Sequence, residues 1–263
     1  MLVIGERING MFAEVRRAIE ARDAETIQRI ARMQQDAGAN VLDVCVGTAA
    51  GDAGDSMEWL VSVIRRTTDL PLCIDTTRPE VMERGVRAAG PGTIINSAKA
   101  DPAVLSMYLQ MAQRFSARLI VLCIGAGGIP RDAAGRVELA ALAVTAALEA
   151  GFSARNLFVD PVVMPVNVAQ QQLPDILDTI RQVRLIADPA PQTVIGLSNV
   201  SQGTKQRSLL NRVFLALALE AGLDAAIMDA TDRELMHTAA AAEVLLNRRL
   251  YCEGFLDASR HLR

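Results

Sequence analysis

Short runs of β-branched and other apolar residues recur along the chain, each followed by a longer stretch of helical periodicity. The runs lie at residues 2–7, 41–47, 72–76, 93–97, 119–125, 157–161, 194–199 and 225–229. They are continuous rather than alternating, the pattern of strands covered on both faces in a parallel sheet. Between them, Met57, Leu60, Val61 and Ile64 fall at i, i+3, i+4 and i+7, and so do Leu210, Val213, Phe214 and Leu217. Each quartet predicts the buried stripe of an amphipathic helix. Capping-box spacing at Asp55 and Glu58, and at Thr231 and Glu234, predicts helix starts, as does the Asp101-Pro102 pair. Ala37-Gly38, Ala150-Gly151 and Ala221-Gly222 stand where helices should stop. Eight strand–helix units in roughly 250 residues predict an α/β fold, a closed (β/α)8 TIM barrel, as a single domain spanning residues 1–263. An open doubly wound sheet is the alternative, but the glycine-rich phosphate turn it needs after the first strand is absent.

Charge narrows the partners. The 263 residues carry 27 Lys and Arg against 30 Asp and Glu, a formal charge of −3, so no basic surplus exists to displace counterions from a nucleic acid. The four cysteines, Cys45, Cys73, Cys123 and Cys252, are far apart and form no CxxC pair, which points to a reducing compartment rather than a disulfide framework. The N-terminus lacks the features of a signal peptide, and apolar stretches such as residues 213–219 are too short for a bilayer. A cytoplasmic protein is expected, with no membrane and no nucleic-acid partner.

In such a barrel the chemistry sits at the C-terminal ends of the strands. Those positions read Glu6, Asp43, Asp75, Asn96, Asp160, Asn199 and Asp229, with only the fifth strand, ending near Gly125, lacking a carboxylate or amide. For any one of them a helix cap or a structural hydrogen bond is the bland reading, and it weighs most for Glu6 and Asp43. Both histidines, His237 and His261, fall in the last helix and the tail, away from the rim, which removes the usual metal ligand and general base. The two lysines, Lys99 and Lys205, end no strand, which argues against Schiff-base chemistry. No metal is expected, although acidic groups without imidazole leave Mg²⁺ open. Carboxylates and amides without cations suit a neutral ligand rich in N–H donors, such as a pterin, whose 2-amino-4-oxo edge a carboxylate accepts in pairs. Asp75 and Asp160 fill that role, with Asn96 able to donate and accept. Arg207 and Lys205, in the polar loop after the seventh strand, could reach a carboxylated tail on the ligand, or simply be solvated.

Five segments carry a resemblance to a known family: Gly5-Glu6-Arg7-Ile8-Asn9-Gly10, Ile74-Asp75-Thr76, Ile95-Asn96-Ser97, Val159-Asp160-Pro161 and Gly196-Leu197-Ser198-Asn199-Val200-Ser201-Gln202. Together with the tail motif Leu250-Tyr251-Cys252, they resemble the methyltetrahydrofolate:corrinoid protein methyltransferases. These are pterin-binding barrels related to the folate module of cobalamin-dependent methionine synthase and to dihydropteroate synthase. The resemblance implies methyl transfer between N5 of tetrahydrofolate and the cobalt of a corrinoid (cobalamin) carried on a separate protein, with tetrahydrofolate or methyltetrahydrofolate as substrate and no metal bound by this chain. It implies Asn199 as the catalytic donor to N5. Asp75, Asn96 and Asp160 would hold the ring, Gly196, Ser198, Asn199 and Gln202 would line its pocket, and Arg207 would touch ring or tail. A homodimer is implied, and the glycine-rich loop 125–128 is a candidate contact for the corrinoid protein. Two positions depart from the family pattern: Cys45 stands where an asparagine usually follows the second strand, and Gly125 where the fifth usually ends in one. Cys45 then reads as a small core residue. The alternatives are a dihydropteroate synthase-like condensing enzyme, disfavoured by the missing pyrophosphate-binding pattern, and a non-catalytic folate-binding protein, which would have no need of Asn199.

Overall fold

The computed structural model describes residues 1–48 and 51–251. Eight parallel strands close on themselves in chain order. They are β1 (Leu2–Asn9), β2 (Val41–Cys45), β3 (Leu72–Asp75), β4 (Ile94–Lys99), β5 (Arg118–Leu122), β6 (Leu157–Asp160), β7 (Gln192–Gly196) and β8 (Ala225–Met228). Around them run α1 (Ala13–Ala21), α2 (Ala24–Asp36), α3 (Ala53–Arg65), α4 (Pro79–Ala89), α5 (Pro102–Arg114), α6 (Ala133–Glu149), α7 (Val166–Ala169), α8 (Leu173–Val183), α9 (Arg207–Ala221) and α10 (Arg233–Leu245). The predicted closed barrel is what forms, and the open sheet is excluded.

The barrel interior is filled by one side chain from each strand: Ile4, Val41, Cys73, Ile94, Ile120, Phe158, Val194 and Ala225 form a separate buried cluster. This apolar plug closes the barrel floor, as expected for a packed TIM core. A second and larger apolar shell, including Ile8, Leu42, Ile74, Ile95 and Ile195, packs the outer strand faces against the helices. Strand side chains alternate with a period of two, so the residue two positions beyond each plug residue also faces inward. β1 and β4 break that alternation by register shifts, between Gly5 and Ile8 and between Asn96 and Ala98. Ile8 and Ala98 are thereby thrown outward, into the outer shell.

Helix boundaries differ in detail from the sequence pattern. Met57, Leu60, Val61 and Ile64 are buried as predicted. On α9, however, Val213 and Leu217 are exposed, and the buried stripe runs through Asn211, Phe214, Leu215, Ala218 and Leu219, one position further round the helix. Asp52, not Asp55, caps α3, accepting from the Asp55 N–H, and Asp232, not Thr231, caps α10. In both cases an earlier or later aspartate offers the same acceptor at a better-placed backbone. Asp101 caps α5 as predicted, and Gly38, Gly151 and Gly222 all take positive φ where their helices stop. Among the described residues no helix is long and apolar enough to cross a membrane.

Candidate active site

Two residues beyond the apolar plug, the inward positions read Glu6, Asp43, Asp75, Asn96, Leu122, Asp160, Gly196 and Ile227. Five of these eight are carboxylates or an amide, set directly on an apolar floor. Asp75 and Asn96 are register partners across β3 and β4, and Cys45 pairs with Asp75 from β2. Four of the predicted ring-holding and neighbouring groups, Asp43, Asp75, Asn96 and Asp160, are thus brought to one end of the barrel by strand parity alone.

Burial sets their electrostatics. Asp43 is 2% exposed. Desolvation, then the neighbouring Asp75 carboxylate, pushes its carboxyl well above the usual range, partly offset by hydrogen bonds from the Cys73 thiol and the Asn96 amide. The Asn96 Nδ2 donates to Asp43 Oδ1 at 3.1 Å. Asp43 therefore reads as the group that orients Asn96. Asp75 is also raised by burial, with the Cys45 thiol pulling the other way. A cavity of about 480 Å³ opens at this edge, lined by Cys45, Asp75, Thr76, Thr77 and Arg78 among others. Cys45 is thus a half-buried wall of the cavity and not the core residue its small size suggested. A carboxylate neighbour demands a donor there, which an S–H supplies as an asparagine amide would.

Asp160 ends β6 on the opposite side of the mouth. Its side chain has one hydrogen bond among those described, from the Val162 N–H to Oδ1 at 2.7 Å. With so little to stabilise the charged form, burial raises its carboxyl to about 7. Val162 itself holds φ at 66°, a left-handed conformation that is rare for a β-branched residue.

Asn199 does not end the seventh strand as predicted. β7 stops at Gly196, and Asn199 sits exposed on a 3₁₀ turn spanning Leu197–Ser201. Its amide folds back over Gly196, where an added Cβ would lie 2.9 Å from Asn199 Nδ2. The turn is tied down at both ends. Ser198 Oγ donates to Glu6 Oε1 at 2.7 Å, and Arg207 Nε donates to Ser201 Oγ at 3.2 Å. Glu6 is raised chiefly by burial, against the lowering effect of the Ser198 hydrogen bond. Gln202 and Lys205 are exposed, and Arg207 is folded onto the turn instead of extending freely.

The remaining rim positions separate cleanly. Asp229 accepts from the Thr231 N–H at 2.9 Å and from its hydroxyl at 2.6 Å, so the turn-capping reading wins there. Gly125 lies beyond β5, which ends at Leu122; it pairs with Gly128 in a tight two-way hydrogen-bonded turn. Lys99 does end a strand, contrary to expectation, because the register shift after Asn96 extends β4 to that exposed residue. His237 lies on α10 as predicted, whereas His261 and Cys252 fall outside the described residues. Among the described residues no group of three or more His, Cys, Asp or Glu side chains converges as metal ligands would. Sequence reasoning missed Val162 and the buried Arg136 behind it, since neither ends a strand. An arginine on the otherwise apolar stripe of α6 was the available signal.

Three comparisons place the chain among known proteins. A methylcorrinoid:tetrahydrofolate methyltransferase of Eubacterium limosum is 29% identical over 262 residues, covering 99% of this chain and 96% of that protein. The methionine synthase of Mycobacterium tuberculosis is 30% identical over 243 residues, 88% of this chain and 20% of that much longer protein. A dihydropteroate synthase from Xanthomonas albilineans, solved with 7,8-dihydropteroate, shares the fold with a TM-score of 0.64 at 17% identity, covering 93% of this chain and 92% of that one. The sequence pattern of the pterin binding enzymes matches residues 6–229, from the first rim carboxylate to the last, and the chain belongs to that family.

Proposed function

We propose that this protein is a methyltransferase that moves a methyl group between N5 of tetrahydrofolate and the cobalt of a corrinoid carried on a separate protein. The observation that carries the reading is the ring of Asp75, Asn96 and Asp160 facing inward above an apolar floor. A flat heterocycle laid on that floor presents its N–H edge to acceptors and its faces to hydrocarbon. The near full-length likeness to a methylcorrinoid:tetrahydrofolate methyltransferase supplies the reaction, and it favours that chemistry over the condensing-enzyme alternative.

In the direction toward folate, the N5 lone pair attacks the methyl group of methyl-Co(III). The carbon–cobalt bond breaks with its electron pair left on cobalt as Co(I), and the N5 proton leaves to solvent. In the reverse direction Co(I) attacks the N5-methyl group, the carbon–nitrogen bond breaks with its pair on N5 and N5 takes a proton from solvent; a tertiary amine is a poor leaving group unless a donor stabilises charge at N5. Asn199 is that donor. Its amide is held at the mouth by the turn that Glu6 and Arg207 anchor, and a preorganised donor of this kind lowers a barrier without transferring a proton outright. Asp75, Asn96 and Asp160 bind the ring, and Gly196, Ser198 and Gln202 flank it. Arg207 braces the turn and adds positive charge beside it.

The corrinoid arrives as a substrate carried on the partner protein, which docks over the open mouth near the loop 125–128. A homodimer fits the exposed Leu209, Val213 and Leu217 on one face of α9. A cytoplasmic setting fits the free thiols of Cys45, Cys73 and Cys123. The test is an anaerobic mixing of the protein, tetrahydrofolate and a methylated corrinoid protein, followed by cobalt absorbance. Conversion of methyl-Co(III) to Co(I) that depends on all three components supports the reading, and a spectrum unchanged by this chain overturns it.

A further inference from the structure

Arg136 is the largest fully buried side chain among the described residues. Its guanidinium is satisfied by three uncharged acceptors from three different segments. Nε donates to the Pro161 carbonyl at 2.9 Å, Nη1 to the Asp132 carbonyl at 3.1 Å and Nη2 to Gln172 Oε1 at 2.8 Å. Sealing a guanidinium inside a protein with no carboxylate in direct hydrogen bond to it, only those of Asp175 and Asp132 nearby, is unfavourable relative to an apolar filler of the same volume. An apolar residue at this point of α6 would pack the gap and do nothing else. What the arginine adds is a rigid fork, fixed in a plane, that can hold a carbonyl at a set place and angle.

That carbonyl belongs to Pro161, the residue between Asp160 and Val162. Val162 is in a left-handed conformation at φ 66°, and its N–H is the donor that fixes Asp160 Oδ1. A β-branched residue leaves that region unless its surroundings over-determine it. Relaxation of the elbow would swing the Val162 N–H away and free the Asp160 carboxyl to rotate about its own side-chain bonds. The elbow is short, lies where β6 has already ended, and is held from behind by α6 through Arg136.

We infer that Arg136 is a positioning residue for Asp160: it pins the Pro161 carbonyl, holds the strained 160–162 elbow shut and thereby fixes the Asp160 carboxyl at its inward position in the barrel mouth. The ligand it serves is the pterin of the proposed function, and to that extent the inference rests on that reading. The competing account is that Arg136 merely fastens α6 and the Gln172 turn to the top of the barrel. The two differ in one respect. Fastening acts on every ligand contact alike, whereas positioning acts through Asp160.

The experiment is a double-mutant cycle on the full chain, read by anaerobic titration calorimetry with tetrahydrofolate and by hydrogen exchange at the Val162 amide in the free protein. Arg136→Met weakens tetrahydrofolate binding on the order of tenfold when Asp160 is present, and by less than about twofold when it is already Asn, the size of coupling seen between groups in one network. The Val162 amide exchanges faster in the same variant. Arg136→Lys, which keeps the charge and one donor to Pro161 but loses the fork, recovers part of both effects. Equal weakening in the two backgrounds, or unchanged Val162 exchange, overturns the inference. If Arg136→Met does not fold, Gln172→Leu releases one arm of the fork with the arginine in place, and a Val162 amide as protected as in the wild type then overturns it. If the wild-type protein itself fails to bind tetrahydrofolate, the functional reading falls, while Val162 exchange still decides whether Arg136 holds the elbow.

Discussion

Asn96 donates its side-chain amide to Asp43, 3.1 Å away across the interior and one strand removed. This bond commits the amide nitrogen to a buried carboxyl and leaves the amide oxygen available as an acceptor. In the proposed reading Asp43 acts on the ligand through this neighbour. Asp43→Asn removes the fixed acceptor and lets Asn96 turn over. The expected result is about tenfold weaker tetrahydrofolate binding, the scale of one hydrogen bond, measured by titration calorimetry. An unchanged dissociation constant would show that Asn96 is oriented by something else.

Proton competition at Asp160 gives binding a definite pH dependence. Burial raises this carboxyl to about 7, and only the ionised form accepts paired N–H bonds from a ring. Affinity for tetrahydrofolate should therefore fall by roughly tenfold per pH unit as the pH drops below that value, and Asp160→Asn should flatten the profile as well as weaken binding. Calorimetric titrations between pH 5.5 and 8 with both proteins check this.

The same burial makes a prediction about stability. An acid whose pKa is higher folded than unfolded favours the folded state most below its unfolded value, and that advantage is lost as pH rises through the folded value. Asp43, Asp75, Glu6 and Asp160 are all raised, mainly by burial. Thermal melts of the ligand-free protein should show Tm falling between pH 5 and pH 8. Asp160→Asn, with no charge to bury, should melt higher than wild type at pH 8 while binding ligand more weakly. A site that is destabilising until ligand fills it has this signature.

Gly196 and Asn199 should be separable from the ring-binding groups by kinetics. Asn199→Ala removes the donor proposed for N5 and is expected to lower turnover on the order of 10²–10³-fold. Gly196→Ala places a methyl group 2.9 Å from Asn199 Nδ2 and should push the amide aside, with a loss in the same direction. Neither should change the tetrahydrofolate dissociation constant by more than about threefold. Steady-state rates paired with calorimetry decide the matter. Loss of binding with rate per bound complex unchanged would remove Asn199 from the chemistry.

Much of this architecture was legible in the chain, and the reason is parity. An inward apolar residue followed two places later by an inward polar one, as in Val41 and Asp43 or Phe158 and Asp160, is visible as soon as the strand is recognised. What was not legible depended on geometry beyond the strand. Asn199 counts as a strand end in the one-dimensional pattern, but the turn of Leu197–Ser201 carries it past the sheet. Val213 and Leu217 satisfy the helical spacing of a buried stripe, yet the neighbouring register through Phe214 and Leu215 is the one that is buried. Arg136 stands out in the sequence only as a charge on the apolar stripe of α6; what it holds was not legible, because two of its three acceptors, Pro161 and Gln172, lie 25 and 36 residues away. Cys45 likewise looks like filler until Asp75 is seen beside it.

The most direct measurement is the fate of cobalt in a stopped mixing of this protein with tetrahydrofolate and a methyl-Co(III) corrinoid protein under anaerobic conditions. Appearance of the Co(I) absorbance in step with N5-methyltetrahydrofolate, one for one, and its slowing by at least about a hundredfold in Asn199→Ala, is the predicted result. Tetrahydrofolate bound tightly at the barrel mouth, with the methyl–cobalt spectrum unmoved by the protein, would contradict it.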